Sequence, residues 1–233
     1  MNDNSIYKNG HYFNNNPTWS VEDSPWKARK IVEMLEKHKI EPKTICEVGC
    51  GVGEILSQLY HQLPDHVEYH GYEISPQAYD LCQQRKEDRI HFHLKELKEE
   101  KDVNFDVIMA IDVFEHVEDY LTFLRDLRKK ATFKIFHIPL GLSVQTVLRD
   151  SCLVDSWEKV GHLHNFTEKT ALTALRYTGY EIVDHFFTEH GIELPSSSLK
   201  RNIMRIPRGI LAMINKSLAA RLLGGSSLLV LAK

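Results

Sequence analysis

Hydrophobic and polar positions along the chain predict strands that alternate with helices. Apolar runs at 44–48, 67–74, 89–93, 105–111 and 133–138 have the length and content of buried strands. Between them, apolar residues recur every three or four positions, as on one face of a helix. Two further strands are predicted at 180–187 and 226–232. The alternation predicts an α/β fold on a largely parallel sheet.

A glycine-rich turn follows the first predicted strand. Gly49, Gly51 and Gly53 stand at alternate positions, and the apolar residues from Ile55 onward have helical spacing. Glycine permits positive φ and leaves room for a ligand against the backbone. The helix behind the turn offers free N–H groups. We therefore predict a ligand site at this turn.

Two acidic residues indicate what kind of ligand binds there. The spacing G-x-G-x-G differs from the G-x-G-x-x-G of dinucleotide sites, and Glu47 beside the turn disfavours a pyrophosphate. Glu73 ends the second apolar run, where a carboxylate can accept both hydroxyls of a ribose. The sequence predicts a nucleoside that carries positive charge.

Composition narrows the class of protein. The chain has 233 residues, of which 42% are hydrophobic, so one α/β domain with additions is expected. A net charge of −3 argues against a nucleic-acid partner. The four cysteines form no C-x-x-C pair, and the polar N-terminus is unlike a secretory leader. We expect a cytoplasmic protein without stable membrane insertion.

Three segments resemble the motifs of class I S-adenosyl-L-methionine (AdoMet) dependent methyltransferases. They are ICEVGCGVG at 45–53, Glu73, and FDVIMAIDVFEHVED at 105–119, and the resemblance covers roughly residues 40–233. It implies a Rossmann-like sheet of seven mostly parallel strands, with helices on both faces and the last strand antiparallel. It also implies AdoMet as cofactor. The cofactor-binding residues expected from it are Glu47, Gly49, Gly51, Gly53, Glu73, Ile74, Asp112 and Val113.

Histidines are the candidate catalytic residues. Removal of a proton from an acceptor hydroxyl suits the pKa of histidine, and His116, His162 and His164 are the candidates. Each of them has the alternative of stabilising nearby backbone. The motif HLHNFT at 162–167 resembles a subset of methyltransferases that act on small molecules, in which such histidines face the acceptor. We expect methyl transfer to oxygen or nitrogen of a small acceptor, with a sugar or related metabolite preferred.

A metal site and an adenine contact are less clear in the sequence. Asp112, Glu115 and His116 resemble the E-x-x-E-H triplet of some metal-assisted quinone-type methyltransferases, but Asp in place of the first Glu shortens the reach. We predict no metal. Family members often place an acid after the third strand, beside the adenine. Glu96 is the near candidate here.

The resemblance also suggests a division of the chain. Residues 1–39 are expected to form an arm and helix over the cofactor cleft. Residues 40–233 form the methyltransferase domain, with substrate-region insertions at about 140–165 and 195–223. The basic amphipathic segment 199–223 has two interpretations, a membrane-surface contact or a lid. We favour the lid, which packs Ile206, Ile210, Leu211 and Ile214 on the sheet.

Other functions stay open from the sequence. One is a methyltransferase for RNA or protein, and another is a non-catalytic AdoMet-binding or partner-binding subunit. A nicotinamide dehydrogenase is disfavoured by the glycine spacing and by Glu47. The oligomeric state is expected to be a monomer or a homodimer.

Overall fold

The computed structural model describes residues 7, 10–19, 21–194 and 198–233. Its strands are β1 Thr44–Val48, β2 Glu68–Glu73, β3 Ile90–Leu94, β4 Phe105–Ile111, β5 Ala131–Pro139, β6 Ile182–Thr188 and β7 Ser227–Ala232. They form one sheet in the order β3-β2-β1-β4-β5-β7-β6. Strands β1 to β5 pair in parallel, and β7 is antiparallel to both β5 and β6. The predicted seven-stranded Rossmann-like sheet is confirmed.

Helices connect these strands. They are α1 His11–Asn15, α2 Ser24–Lys37, α3 Glu54–Tyr60, α4 Pro76–Cys82, α5 Tyr120–Arg128, α6 Val144–Val147, α7 Asp150–Asp155, α8 Glu168–Tyr177, α9 His190–Glu193, α10 Leu199–Ile214 and α11 Lys216–Leu223. Single turns of 3₁₀ helix lie at Val21–Asp23, Gln83–Arg85, Leu97–Glu99 and Phe114–His116. A π-helical turn spans Ser156–Val160.

The core consists of two apolar layers, one on each face of the sheet. Successive side chains of β4 point to opposite faces. Val107 therefore joins the layer under α2 and α3, whereas Ile108 joins the layer under α5 and α8. Both side chains are fully buried. This explains why β4 has a continuous apolar run, as expected for a strand covered on both faces.

Helix starts follow local capping chemistry. The Ser75 side chain accepts a hydrogen bond from Ala78 N, and Thr167 forms a capping box at the start of α8. The chain enters α2 through the 3₁₀ turn Val21–Asp23, so Asp23 is the N-cap residue and Ser24 is buried within the first turn.

The basic segment departs from its prediction. It forms two helices, α10 and α11, and Ile206, Ile210 and Ile214 on α10 are 69%, 54% and 76% exposed. The prediction that this face packs on the sheet is therefore wrong. The Arg205 and Arg208 side chains point inward and donate to the carbonyls of Ile192 and Leu223. Within the described residues, no helix is long and apolar enough to cross a membrane.

Candidate active site

The glycine turn between β1 and α3 has a backbone that only glycine adopts easily. Gly49, Gly51 and Gly53 have φ of 68°, 55° and 77°. A Cβ on Gly49 would lie 2.9 Å from Val113 Cγ2, and a Cβ on Gly53 would lie 2.5 Å from Phe92 Cζ. Side chains at Gly49 and Gly53 are therefore disfavoured by conformation and by space, whereas at Gly51 only the conformation disfavours them.

Glu73 is bound to this turn by backbone amides. Its Oε2 accepts from Gly51 N at 2.9 Å, and its Oε1 accepts from the amides of Ile74 and Ser75 at 2.8 Å each. Burial raises the pKa of Glu73, and the three backbone hydrogen bonds oppose that rise. Carboxylate oxygens have about four acceptor positions, so Glu73 retains capacity for hydroxyl groups of a ligand.

Glu47 lies at the end of β1 and is 2% exposed. Its Oε2 has no hydrogen-bond partner among the described residues. Burial raises the pKa of Glu47, and the nearby charge of Lys27 opposes the rise. A buried carboxylate oxygen without a partner costs free energy. A cationic or hydrogen-bond-donating ligand group would remove that cost.

These residues line one cavity of about 510 Å³. Of the predicted site residues, it is lined by Glu47, Gly49, Gly51, Glu73, Ile74, Asp112, Val113, His116 and His162. Gly53 does not line the cavity. It is the N-cap residue of α3. A neighbouring hollow of about 400 Å³ shares Gly49, Ile74 and Val113 with the cavity, and it contains Glu96. The candidate for the adenine contact therefore lies beside the cofactor residues.

Asp112 has both carboxylate oxygens engaged. Lys27 Nζ lies 2.7 Å from Oδ2, and His137 Nδ1 lies 2.5 Å from Oδ1. The other ring nitrogen of His137, Nε2, lies within hydrogen-bond distance of Thr188 Oγ1, at 2.8 Å. Burial acts to raise the pKa of Asp112, but His137 and Lys27 outweigh it and hold the pKa below its ordinary value. Asp112 therefore fixes Lys27 and His137 at the cavity wall.

The two histidine motifs meet although they are far apart in sequence. Leu163 N and His164 N both donate to the carbonyl of Glu115, at 2.9 and 3.0 Å. His116 Nδ1 lies 3.0 Å from the carbonyl oxygen of Gly161, which can only accept, so Nδ1 carries the proton. As a result, the His116 and His162 rings lie 4.7 Å apart between centroids.

Burial controls the charge state of this pair. It lowers the pKa of His116 to about 4, and it also lowers the pKa of His162. Both imidazoles are therefore neutral near pH 7. His116 Nε2 keeps a lone pair for an incoming proton or another electrophile.

His164 lies apart from the other two candidate histidines. Its Nε2 lies 3.1 and 3.2 Å from the carbonyls of Val117 and Glu118, and its ring packs against Tyr120. It does not line the cavity. The structure therefore gives His164 the backbone-stabilising contact that the sequence left as an alternative.

The N-terminal arm supplies aromatic side chains to the cavity. Trp19 and Tyr12 line it, with ring centroids 4.8 Å apart, and Tyr12 lies 6.3 Å from His116. Trp19 Nε1 has no hydrogen-bond partner among the described residues. Asn16 connects the arm to the insertion by donating to the Lys159 carbonyl. Residues 1–6, 8–9 and 20 of the predicted arm lie outside the described residues.

Several cavity residues were not predicted as site residues. They include His137, His190 and Tyr12, and burial lowers the pKa of His190 to about 4. One signal was present for His137, since it lies near the carboxyl end of β5, at the same sheet edge as the glycine turn. We find no comparable sequence signal for His190.

Comparison with known proteins identifies part of the chain. Residues 46–132 match the sequence model of a family described as a methyltransferase domain. The match begins within β1 and ends at the start of β5, so it contains the glycine turn, Glu73 and the Asp112–His116 segment. Among curated protein sequences, none matches this chain.

Solved structures share the fold at low identity. Magnesium protoporphyrin IX methyltransferase from Synechocystis PCC 6803, with bound SAH, has a TM-score of 0.59 at 17% identity, covering 89% of this chain and 82% of its own. The plantazolicin methyltransferase, in complex with SAH, has a TM-score of 0.59 at 16% sequence identity. The match covers 97% of this chain and 88% of that protein. A cyclopropane synthase from Mycobacterium tuberculosis has a TM-score of 0.58 at 18% sequence identity. The match covers 82% of this chain and 78% of that protein. At such identities, the likeness concerns the fold.

Proposed function

We propose that this chain is a class I AdoMet-dependent methyltransferase that methylates oxygen or nitrogen of a small-molecule acceptor. The match of residues 46–132 to a methyltransferase domain and the shared fold support this. One observation carries the proposal. A single cavity joins Glu47, Glu73 and the glycine turn to the histidine pair His116 and His162. A donor and an acceptor bound there would lie next to each other.

The residues at the glycine turn fit AdoMet. Its positive charges would meet the unpartnered oxygen of Glu47, and its ribose hydroxyls would bind Glu73. Gly49 and Gly51 allow the close backbone approach, and Ile74 and Val113 add apolar surface. When bound, AdoMet supplies a methyl group that is already activated by the sulfonium charge.

The protein must then position the acceptor and accept its proton. With AdoMet bound at Glu47, Glu73 and the glycine turn, its methyl group would pass to the acceptor oxygen or nitrogen and leave SAH as a neutral thioether. The acceptor proton goes to a neutral histidine, His162 or His116. Holding both reactants in line and excluding water supplies most of the remaining rate enhancement.

We infer that residues 1–39 act as a cover over the cleft and that 40–233 carry the reaction. Tyr12 and Trp19 support this, since they lie over the glycine turn and the histidines. A covered cavity with aromatic walls suits a small acceptor better than a folded protein or RNA. We prefer a hydroxyl of a sugar or related metabolite, from the resemblance of HLHNFT to the small-molecule subset.

The test is an acceptor screen that detects SAH release from AdoMet. Panels of nucleotide sugars, hydroxy acids and small amines would be compared with an RNA pool and a peptide pool. We expect turnover with a small hydroxylated compound, and loss of that turnover in His162→Ala. Turnover with RNA or peptide alone would contradict the small-molecule acceptor. AdoMet binding without turnover on any pool would favour the non-catalytic subunit.

A further inference from the structure

Glu115 is a buried carboxylate that the proposed reaction does not use. It is 1% exposed, and neither of its oxygens has a hydrogen-bond partner among the described residues. Glu73, which is also buried, has three backbone donors. An ionised carboxylate without donors is costly to bury unless a cation compensates it. A cation bound next to Glu115 would remove this cost.

Two imidazoles stand next to this carboxylate. One ligand atom each from Glu115, His116 and His162 lies within 4.8 Å of the others. His116 donates its Nδ1 proton to the Gly161 carbonyl, and its Nε2 lies 3.9 Å from Glu115 Oε1. Metal-binding histidines usually have such an outer hydrogen bond, because it fixes the tautomer and orients the ring.

The ligand atoms of Glu115, His116 and His162 indicate which kind of metal ion they would bind. Two imidazoles and one carboxylate suit a divalent transition metal and leave coordination positions open. Asp112 is not part of the set, since Lys27 and His137 occupy its oxygens. The cluster therefore differs from the sequence triplet of Asp112, Glu115 and His116, and it includes a residue from the distant HLHNFT loop.

We propose that Glu115, His116 and His162 bind one divalent transition-metal ion at the acceptor end of the cavity. This replaces the expectation of a metal-free site. The open positions would suit an acceptor that offers oxygen ligands, and a hydroxyl bound to the metal would release its proton more readily. With the ion bound, the two histidines would serve as ligands in place of the proton-accepting role proposed for them in its absence. The acceptor role rests on the proposed function, whereas metal binding does not.

Cobalt(II) absorption tests the site directly. Purified full-length protein would be titrated with Co²⁺, and we expect visible ligand-field bands that saturate at one ion per chain. Glu115→Gln and His162→Ala should lose the bands. The matched control is His93→Ala, because His70 and His93 pair at 3.3 Å at the sheet edge and offer another place for Co²⁺. That variant should keep them.

Bands that persist in Glu115→Gln, or that disappear in His93→Ala, would overturn the proposal. Thermal unfolding gives a second readout, because a ligand that binds only the folded state raises Tm. Co²⁺ should raise the Tm of the wild type and of His93→Ala, but not that of His162→Ala. AdoMet titration of the same variants separates this result from a failure of the proposed function.

A second inference comes from α10. Its large apolar side chains at positions 199, 203, 206, 210, 213 and 214 form one helical face, and they are 54–82% exposed. Residues 199–223 contain six lysines or arginines and no acidic residue, in a chain of net charge −3. Arg205 and Arg208 donate inward to backbone carbonyls, which leaves the basic residues at positions 200, 201, 216 and 221 for an anionic surface. A two-fold contact between two such helices would place like charges together. An anionic bilayer complements both the charge and the apolar face.

We infer that α10 lies in the surface of an anionic membrane. The test is flotation with vesicles of phosphatidylcholine, with and without phosphatidylglycerol. We expect the protein to float with anionic vesicles, less so at high salt, and the pair Ile206→Glu and Ile210→Glu to abolish flotation. Tyr177→Glu, at an exposed position on α8, is the matched control. No flotation of the wild type, or a self-association that the double variant removes, would contradict the inference.

Discussion

The two ends of the cavity are built in different ways. At the cofactor end, the glycine turn and Glu73 follow adjacent strands, and the Gly51 amide donates to the Glu73 carboxylate. At the acceptor end, His116 meets His162 across 45 residues of sequence, through hydrogen bonds to Glu115 and Gly161 carbonyls. The cofactor end is held by contacts between neighbouring strands, and Glu47 keeps one carboxylate oxygen without a partner there among the described residues. The acceptor end depends on contacts between residues farther apart in sequence, and both oxygens of Glu115 lack a partner there.

Because of this difference, we expect AdoMet affinity and catalytic turnover to depend on different residues. We expect changes at the cofactor end to alter AdoMet affinity, because we propose that AdoMet binds the glycine turn, Glu47 and Glu73. Changes at the acceptor end should alter turnover and leave AdoMet affinity intact. Each variant below tests whether the two ends are independent.

The largest effect is expected for His162→Ala. Loss of a catalytic base commonly costs about 10²- to 10⁴-fold in rate, and loss of a metal ligand acts in the same direction. The measurement pairs turnover with AdoMet titration, and affinity for AdoMet should be unchanged. His66→Ala, at an exposed position, is the control. An equal loss of AdoMet affinity would show that the two ends are coupled.

Glu73→Gln should act at the opposite end. Hydrogen bonds to a charged group contribute about 1.5–3 kcal/mol, so AdoMet affinity should fall roughly 10- to 100-fold. Calorimetric titration measures this. Glu68→Gln lies on the same strand and pairs with His91 away from the cavity, so it should bind AdoMet normally. Equal affinity in both variants would remove Glu73 from the ribose contact.

Gly53→Ala tests the turn itself. The left-handed φ and the 2.5 Å approach to Phe92 should cost about 1–3 kcal/mol of unfolding free energy. The control is Gly209→Ala within α10, where a Cβ meets nothing within 4 Å, and it should gain up to about 1 kcal/mol. Urea unfolding compares the two. Equal stability of both variants would mean that the turn accepts a side chain at position 53 without a loss of unfolding free energy.

The smallest effect is expected for Trp19→Phe. It keeps a ring near Gly51 and removes the unpartnered indole N–H. If that group donates to bound AdoMet, the loss of one hydrogen bond of about 1 kcal/mol lowers affinity roughly fivefold. Unchanged affinity would indicate that the arm covers the cavity without a polar contact to AdoMet.

Local patterns predicted the parts of the fold that local physics determines. The bounds of β1 and β4 agree with the apolar runs, and Ser75 and Thr167 cap the helices that follow them. The glycine spacing predicted a turn that the structure shows with three positive φ angles. These features depend on neighbours within a few residues, so a single sequence contains them.

The rest depends on contacts between distant residues. Periodicity identified an apolar face on α10, but it does not determine what covers that face, and the lid interpretation of Ile206 and Ile210 was wrong. Asp112 lines the cavity, and its contact with the cofactor stays a prediction, but the sequence did not indicate that Lys27 and His137 pair with its oxygens. Such pairings depend on the order of the strands in the sheet. The hydrophobic pattern of a single sequence does not determine that order, which was expected here only from the resemblance to a known family.

Calorimetric titration of the purified protein with AdoMet, SAH and NAD tests the central claim most directly. We expect micromolar binding of AdoMet and SAH, no binding of NAD, and weaker binding of AdoMet by Glu73→Gln. Binding of NAD in place of AdoMet, or no binding of AdoMet and SAH by the wild type, would contradict the assignment of this cavity to a methyl donor.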